Sequence, residues 1–131
     1  MVSPALVETL VRVAAADPEV RALYVFGSQS SGQARPDSDV DLGVLYGRRR
    51  PLAATLTLEQ QVEEIIGRHV DVVDVAHASA FLALDVVRGE RVFCRDSTET
   101  DRFELYVLRR AGDLLPFERE RQKLLLDTPS P

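Results

Sequence analysis

The chain has 131 residues, 45% of them hydrophobic and 28% charged, which suits one compact soluble domain and leaves little room for a second. Asp and Glu outnumber Lys and Arg by 21 to 16, for a formal net charge of −5, which argues against a general nucleic-acid binder because such proteins draw phosphate backbones with a basic field. A single cysteine, Cys94, excludes an intramolecular disulfide and a cysteine-rich metal site, and in the run Arg91–Cys94 it reads as a small buried hydrophobe. No basic region followed by an apolar run opens the chain, and no apolar run approaches the ~20 residues of a membrane span, so a cytoplasmic protein without membrane contact is expected.

In chain order, Leu6, Leu10, Val13 and Ala14 recur at helical spacing after Pro4, which suits a first turn, and Asp17-Pro18 ends that helix. Ala22–Phe26 reads as a buried strand running into Gly27, and Val40–Tyr46 as a second strand. Gly47, Arg48, Arg49 and Arg50 form a turn closed by Pro51; a helix covers 52–66 and stops at Gly67. Val70–Val75 is a β-branched third strand, Ser79 caps a short helix through Val87, and Arg91–Cys94 is a fourth strand. Ser97 or Thr98 caps a C-terminal helix with Phe103, Tyr106, Val107, Ala111 and Leu114 as its apolar stripe. Pro116 is expected to break or kink it, with a second amphipathic piece over 117–126. The expectation is an α/β fold: a small mixed sheet of about four strands flanked by helices, in a single domain over 1–131. Within it, a core over 1–95 precedes a helical segment over 97–126 and a loose tail over 127–131.

Two pieces of the middle region carry chemistry together. Asp39 and Asp41 stand two apart at the start of a strand, so their carboxylates share one face and repel unless a cation lies between them. Hard oxygen ligands of this kind favour Mg²⁺ or Mn²⁺. Earlier in the chain, with ten residues between Ser28 and Asp39, Gly27 lets the backbone come close to a ligand and Ser28 offers a hydroxyl and an N–H for phosphate. Each piece alone is common; in this order they are specific. Further along, Asp71 and Asp74 lie on opposite faces of one strand, so at most one of them faces the same site. His69 and His77 show no metal-ligand spacing to Cys or carboxylate and read as surface or strand-end residues. The Arg48–Arg50 turn and the C-terminal cations Arg109, Arg110, Arg119, Arg121 and Lys123 read as solvated surface, with partner docking a minority reading.

The run Gly27-Ser28-x10-Asp39-x-Asp41 resembles the signature of the DNA polymerase β-type nucleotidyltransferases. The fuller string FGSQSSGQARPDSDVDLGVLYG resembles their small MNT branch, minimal nucleotidyltransferases that act as antitoxins paired with HEPN toxins. The resemblance spans the chain to about Leu115. It implies the nucleotidyltransferase fold, a metal-dependent transfer of AMP from ATP, and two Mg²⁺ or Mn²⁺ ions held by Asp39, Asp41 and a third acid, for which the family's strand pattern selects Asp71. It also implies phosphate binding by Gly27 and Ser28 and, as acceptor, a tyrosine hydroxyl of a cognate HEPN toxin that is thereby neutralised. Many relatives carry a basic residue where this chain has Gln29-Ser30-Ser31, so triphosphate binding is expected to rest on Arg35 or on a partner's basic group. The competing readings are an antitoxin that acts by contact with little or no catalysis, and transfer to a small molecule. The short chain disfavours the latter.

Overall fold

A computed structural model describes residues 2–27 and 39–127, with side chains described through Leu114 and at Pro116. Helix α1 (Pro4–Ala16) starts at Ser3, whose hydroxyl accepts from the Leu6 N–H at 3.3 Å, and it buries Leu6, Leu10 and Ala14. Strand β1 (Val20–Phe26) begins two residues before the apolar run suggested. Val20 is fully buried there, and Arg21 between the apolar residues turns outward to pair with Glu99 at 2.8 Å. Strand β2 (Val40–Tyr46) and helix α2 (Leu52–Ile66) occupy their expected ranges, and Gly67 ends α2 in the left-handed conformation at φ 69°. On α2 the buried positions are Thr55, Leu58 and Val62, while Leu56 faces solvent.

Strand β3 (Val70–Asp74) stops one residue short of its expected end, because Val75 enters a 3-10 turn (Val75–His77) that buries its side chain. Helix α3 (Ala80–Val87) is capped by Ser79, whose hydroxyl accepts from the Leu82 N–H, and strand β4 (Glu90–Cys94) follows. Cys94 is half-buried and donates to the Thr100 hydroxyl. Helix α4 (Ser97–Asp127) runs without interruption through Pro116, against the expected break into two pieces. Pro116 and Gly112 are both exposed, so the Gly112 carbonyl, which loses its donor four residues on, is open to water and the cost of the proline stays local. Only Val107 and Ala111 of the expected stripe are buried; Tyr106 and Leu114 remain exposed.

The strands form one sheet in the order β3-β2-β1-β4, with β2 and β3 parallel and the other pairs antiparallel. Alternation along β1 and β2 divides the core in two. Leu23, Val25, Val40, Leu42 and Val44 pack against Leu6, Leu10, Leu58 and Val62 of α1 and α2. On the other face Ala22, Tyr24 and Leu45 pack against Ala83 and Val86 of α3 and Val107 of α4. Burying each such Val or Leu contributes about 1.5–3 kcal/mol. Gly43 is required where α3 crosses β2: a Cβ there would lie 2.2 Å from Val86 Cγ1.

The outer edge of β3 is closed by α2. Glu59 and Glu63, one helical turn apart, accept the outward N–H groups of Val72 and Val70, both at 2.9 Å.

Candidate active site

The start of β2 is where three chain segments meet. The antiparallel β1–β2 register sets Phe26 against Asp41, so the chain leaving β1 passes beside that carboxylate. Gly27 lies there with φ +71°, and a Cβ on it would sit 2.7 Å from Asp41 Oδ2. Both the backbone angle and the space therefore demand glycine.

On its other side β2 pairs in parallel with β3, Val40 with Val70 and Asp41 with Asp71. Paired residues share a face, so Asp71 stands beside Asp41 on the side of the sheet covered by α3 and α4. One further rung, Val40 N–H to the His69 carbonyl at 2.9 Å, continues the ladder and brings position 69 next to position 39. Ligand atoms of Asp39, His69 and Asp71 all fall within 4.8 Å of one another, on exposed side chains. Asp74 points to the opposite face, where its Oδ2 meets His77 Nδ1 at 3.1 Å.

The electrostatics of this corner are those of acids brought together. Burial pushes the Asp41 carboxyl above its ordinary range, the charges of Asp71 and Asp39 push it further, and His69 pulls the other way. His69 responds in the opposite sense: Asp71 above all, then Asp39 and Glu63, raise its imidazole against the effect of burial. The ring lies between two carboxylates, Nε2 at 3.1 Å from Asp71 Oδ1 and Nδ1 at 3.2 Å from Glu63 Oε1. A cluster of carboxylate oxygens, crowded and open to solvent, fits a hard divalent cation that would relieve its repulsion.

Of the residues singled out by sequence, Gly27, Asp39, Asp41 and Asp71 meet at this corner. Ser28 and Arg35, with Gln29-Ser30-Ser31, lie outside the described residues. His69, read from the sequence as a surface or strand-end residue, also lies at this corner, and the sequence carries a signal for it. His69-x-Asp71 repeats on β3 the period-two spacing of Asp39-x-Asp41 on β2, so each pair shares a face.

The model of the family "Polymerase beta, Nucleotidyltransferase" matches residues 8–98, which contain every one of these positions. The protein adenylyltransferase MntA of Shewanella oneidensis is 30% identical over 111 residues, covering 84% of this chain and 77% of that protein. Among solved structures, a toxin–antitoxin with AMP-PNP superposes with a TM-score of 0.78 at 24% identity, over 92% of this chain and 96% of the other. The MNT antitoxin in complex with the tri-AMPylated Shewanella oneidensis HEPN toxin gives 0.73 at 22% identity, over 94% and 95%. These two likenesses establish the common fold. The sheet order, the carboxylates at the start of β2 and the match over most of the chain converge: the chain belongs to the polymerase β-type nucleotidyltransferase family, with the adenylyltransferase MntA among its relatives.

Proposed function

We propose that the chain, acting as one domain over 1–131 in the cytoplasm, transfers AMP from ATP to a tyrosine hydroxyl of a cognate HEPN toxin and so neutralises it. The observation that carries this reading is the register that sets Asp41 beside Asp71, with Asp39 completing a cluster suited to a divalent cation. The adenylyltransferase relative and the AMPylated toxin held by the antitoxin of the same fold support it. Asp39, Asp41 and Asp71 would hold Mg²⁺ or Mn²⁺, two ions in all. Bound there, the ions supply charge neutralisation and orientation of the triphosphate.

The residues of the chain do the rest. Gly27 leaves space for the Asp41 carboxylate, Ser28 binds phosphate oxygens, and Arg35 supplies the positive charge that many relatives place where this chain has Gln29-Ser30-Ser31. The acceptor oxygen forms a bond to the α-phosphorus, the bond from that phosphorus to the bridging oxygen of pyrophosphate breaks, and pyrophosphate leaves. Asp71 accepts the proton of the acceptor hydroxyl. A partner protein as acceptor also fits the apolar surface of α4 and α3, where Leu105, Tyr106, Leu108, Leu114 and Phe81 are exposed. Among the described residues no helix is long and apolar enough to cross a membrane.

The test is mass spectrometry of a cognate HEPN toxin after incubation with the chain, ATP and Mg²⁺. Addition of AMP is expected, and it disappears with the Asp39→Asn, Asp41→Asn double variant. A toxin that is neutralised at unchanged mass would overturn the enzymatic reading in favour of inhibition by contact.

A further inference from the structure

We infer that His69 is a nitrogen ligand of the metal centre and makes that centre prefer Mn²⁺ to Mg²⁺. The inference rests on the metal-binding role proposed for the carboxylates and adds to it a side chain from outside the acid set. His69 Nε2 meets Asp71 Oδ1 at 3.1 Å as a hydrogen-bonded pair, and an ion that displaces the shared proton finds these two atoms already spaced as neighbouring ligands. Two ligands at right angles on one octahedral ion are separated by about 3 Å when each bond is about 2.1 Å, so the spacing is that of one edge of a coordination shell. The third group, Asp39, keeps an oxygen within 4.8 Å of a ligand atom of His69 and of Asp71.

The opposite side of the ring is arranged for this. Glu63 Oε1 faces Nδ1 at 3.2 Å, and the same oxygen is anchored from behind by the Val70 N–H at 2.9 Å. A carboxylate at Nδ1 keeps the proton on that nitrogen and turns the Nε2 lone pair outward, as carboxylates commonly do behind metal-bound histidines. Glu63 is held by a helix and a strand, so the ring is oriented before any ion arrives. An imidazole nitrogen adds more to the affinity of a first-row transition ion than to that of Mg²⁺, which favours oxygen. A site of three carboxylates alone would discriminate less.

The experiment uses the full chain with Mn²⁺ alone, without nucleotide. Pulsed electron paramagnetic resonance should show imidazole ¹⁴N modulation on the bound ion, lost in His69→Ala and kept in His77→Ala. The chain has only these two histidines, and His77 lies with Asp74 on the other face, so the assignment is unambiguous. In binding titrations His69→Ala should weaken Mn²⁺ about tenfold or more while Mg²⁺ changes by less than about twofold. Glu63→Gln should keep the ¹⁴N signal and weaken Mn²⁺ severalfold. Bound Mn²⁺ without ¹⁴N modulation, or equal weakening of both ions in His69→Ala, would overturn the inference. The second result would make His69 a residue that only positions Asp71. Mn²⁺ binding unchanged by Asp39→Asn with Asp41→Asn would instead defeat the carboxylate reading itself, which keeps the two failures distinct.

Discussion

Two acids of this molecule, Asp17 and Asp41, lie near opposite ends of the sheet and are treated in opposite ways. At Asp17 burial alone would raise the carboxyl, but hydrogen bonds from Arg50 and the Glu19 backbone, and the charges of Arg50 and Arg95, hold it below its ordinary range. Arg50 reaches it at 2.8 Å and also covers the Tyr46 ring at 4.9 Å. At Asp41 burial acts in the same direction, yet the neighbours that reinforce it are carboxylates. The first acid is matched by cations within the fold and serves stability. The second is crowded by its own kind, a cost that folding alone does not explain and that a bound cation removes.

The sharpest way to break this contrast is Asp41→Asn. Transfer should fall about 10³-fold or more, as when one charge-stabilising group is removed from a polar active site, measured as AMP incorporation per unit time. The same variant should melt a few degrees higher than the parent in the absence of divalent ions. The sign follows from the raised folded-state carboxyl: its ionisation penalises the fold above that value and is relieved as pH falls through it. The stabilisation by Asp41→Asn should therefore be present at neutral pH and vanish near pH 4. A variant that melts lower than the parent at neutral pH would show that Asp41 is structural like Asp17.

Gly27→Ala comes next. It places a methyl on Asp41 Oδ2 and a side chain at positive φ, so activity should drop about 10²-fold by displacement of the carboxylate. The loss of stability should stay near 1–2 kcal/mol, read from denaturant unfolding. Equal losses in activity and folded fraction would make the glycine a matter of folding only.

The smallest effect belongs to Arg50→Ala. Removing a half-exposed ion pair and a cation–π contact should cost about 1 kcal/mol with transfer unchanged. Asp17 has a lowered folded-state value, so its stabilising share is present above the unfolded carboxylate range and is lost as pH falls through the folded value. The acid arm of the stability profile should be shallower in Arg50→Ala.

How legible was this from residues alone? Periodic segments were, because the signal is local. The apolar alternation of Val40–Tyr46 and the glycine stop at Gly67 fall where the sequence places them. The side-by-side placement of Asp39 and Asp41 needs only the two-residue period of a strand. The position of Asp71 beside Asp41, with Asp74 on the other face, needs the register of a parallel pair, a relation between segments about thirty residues apart that no local pattern carries. For His69 the two-residue spacing to Asp71 is local and legible, but its second partner Glu63 sits on a helix, and the ring's orientation arises only when both are present. At Pro116, where the sequence offers a break or a kink, the helix does not break, because exposed Gly112 leaves the freed carbonyl on the solvent side.

The pair Glu59 and Glu63 has a consequence for how a second protein can meet this one. A sheet edge with its donors open invites a stranger's backbone, and many complexes form by adding a strand in that way. Here the donors of Val70 and Val72 are already taken by side chains of the adjoining helix. The edge nearest the reacting groups cannot grow. A protein that docks at this edge must do so by side-chain and helix contacts, and can leave without unzipping any ladder there.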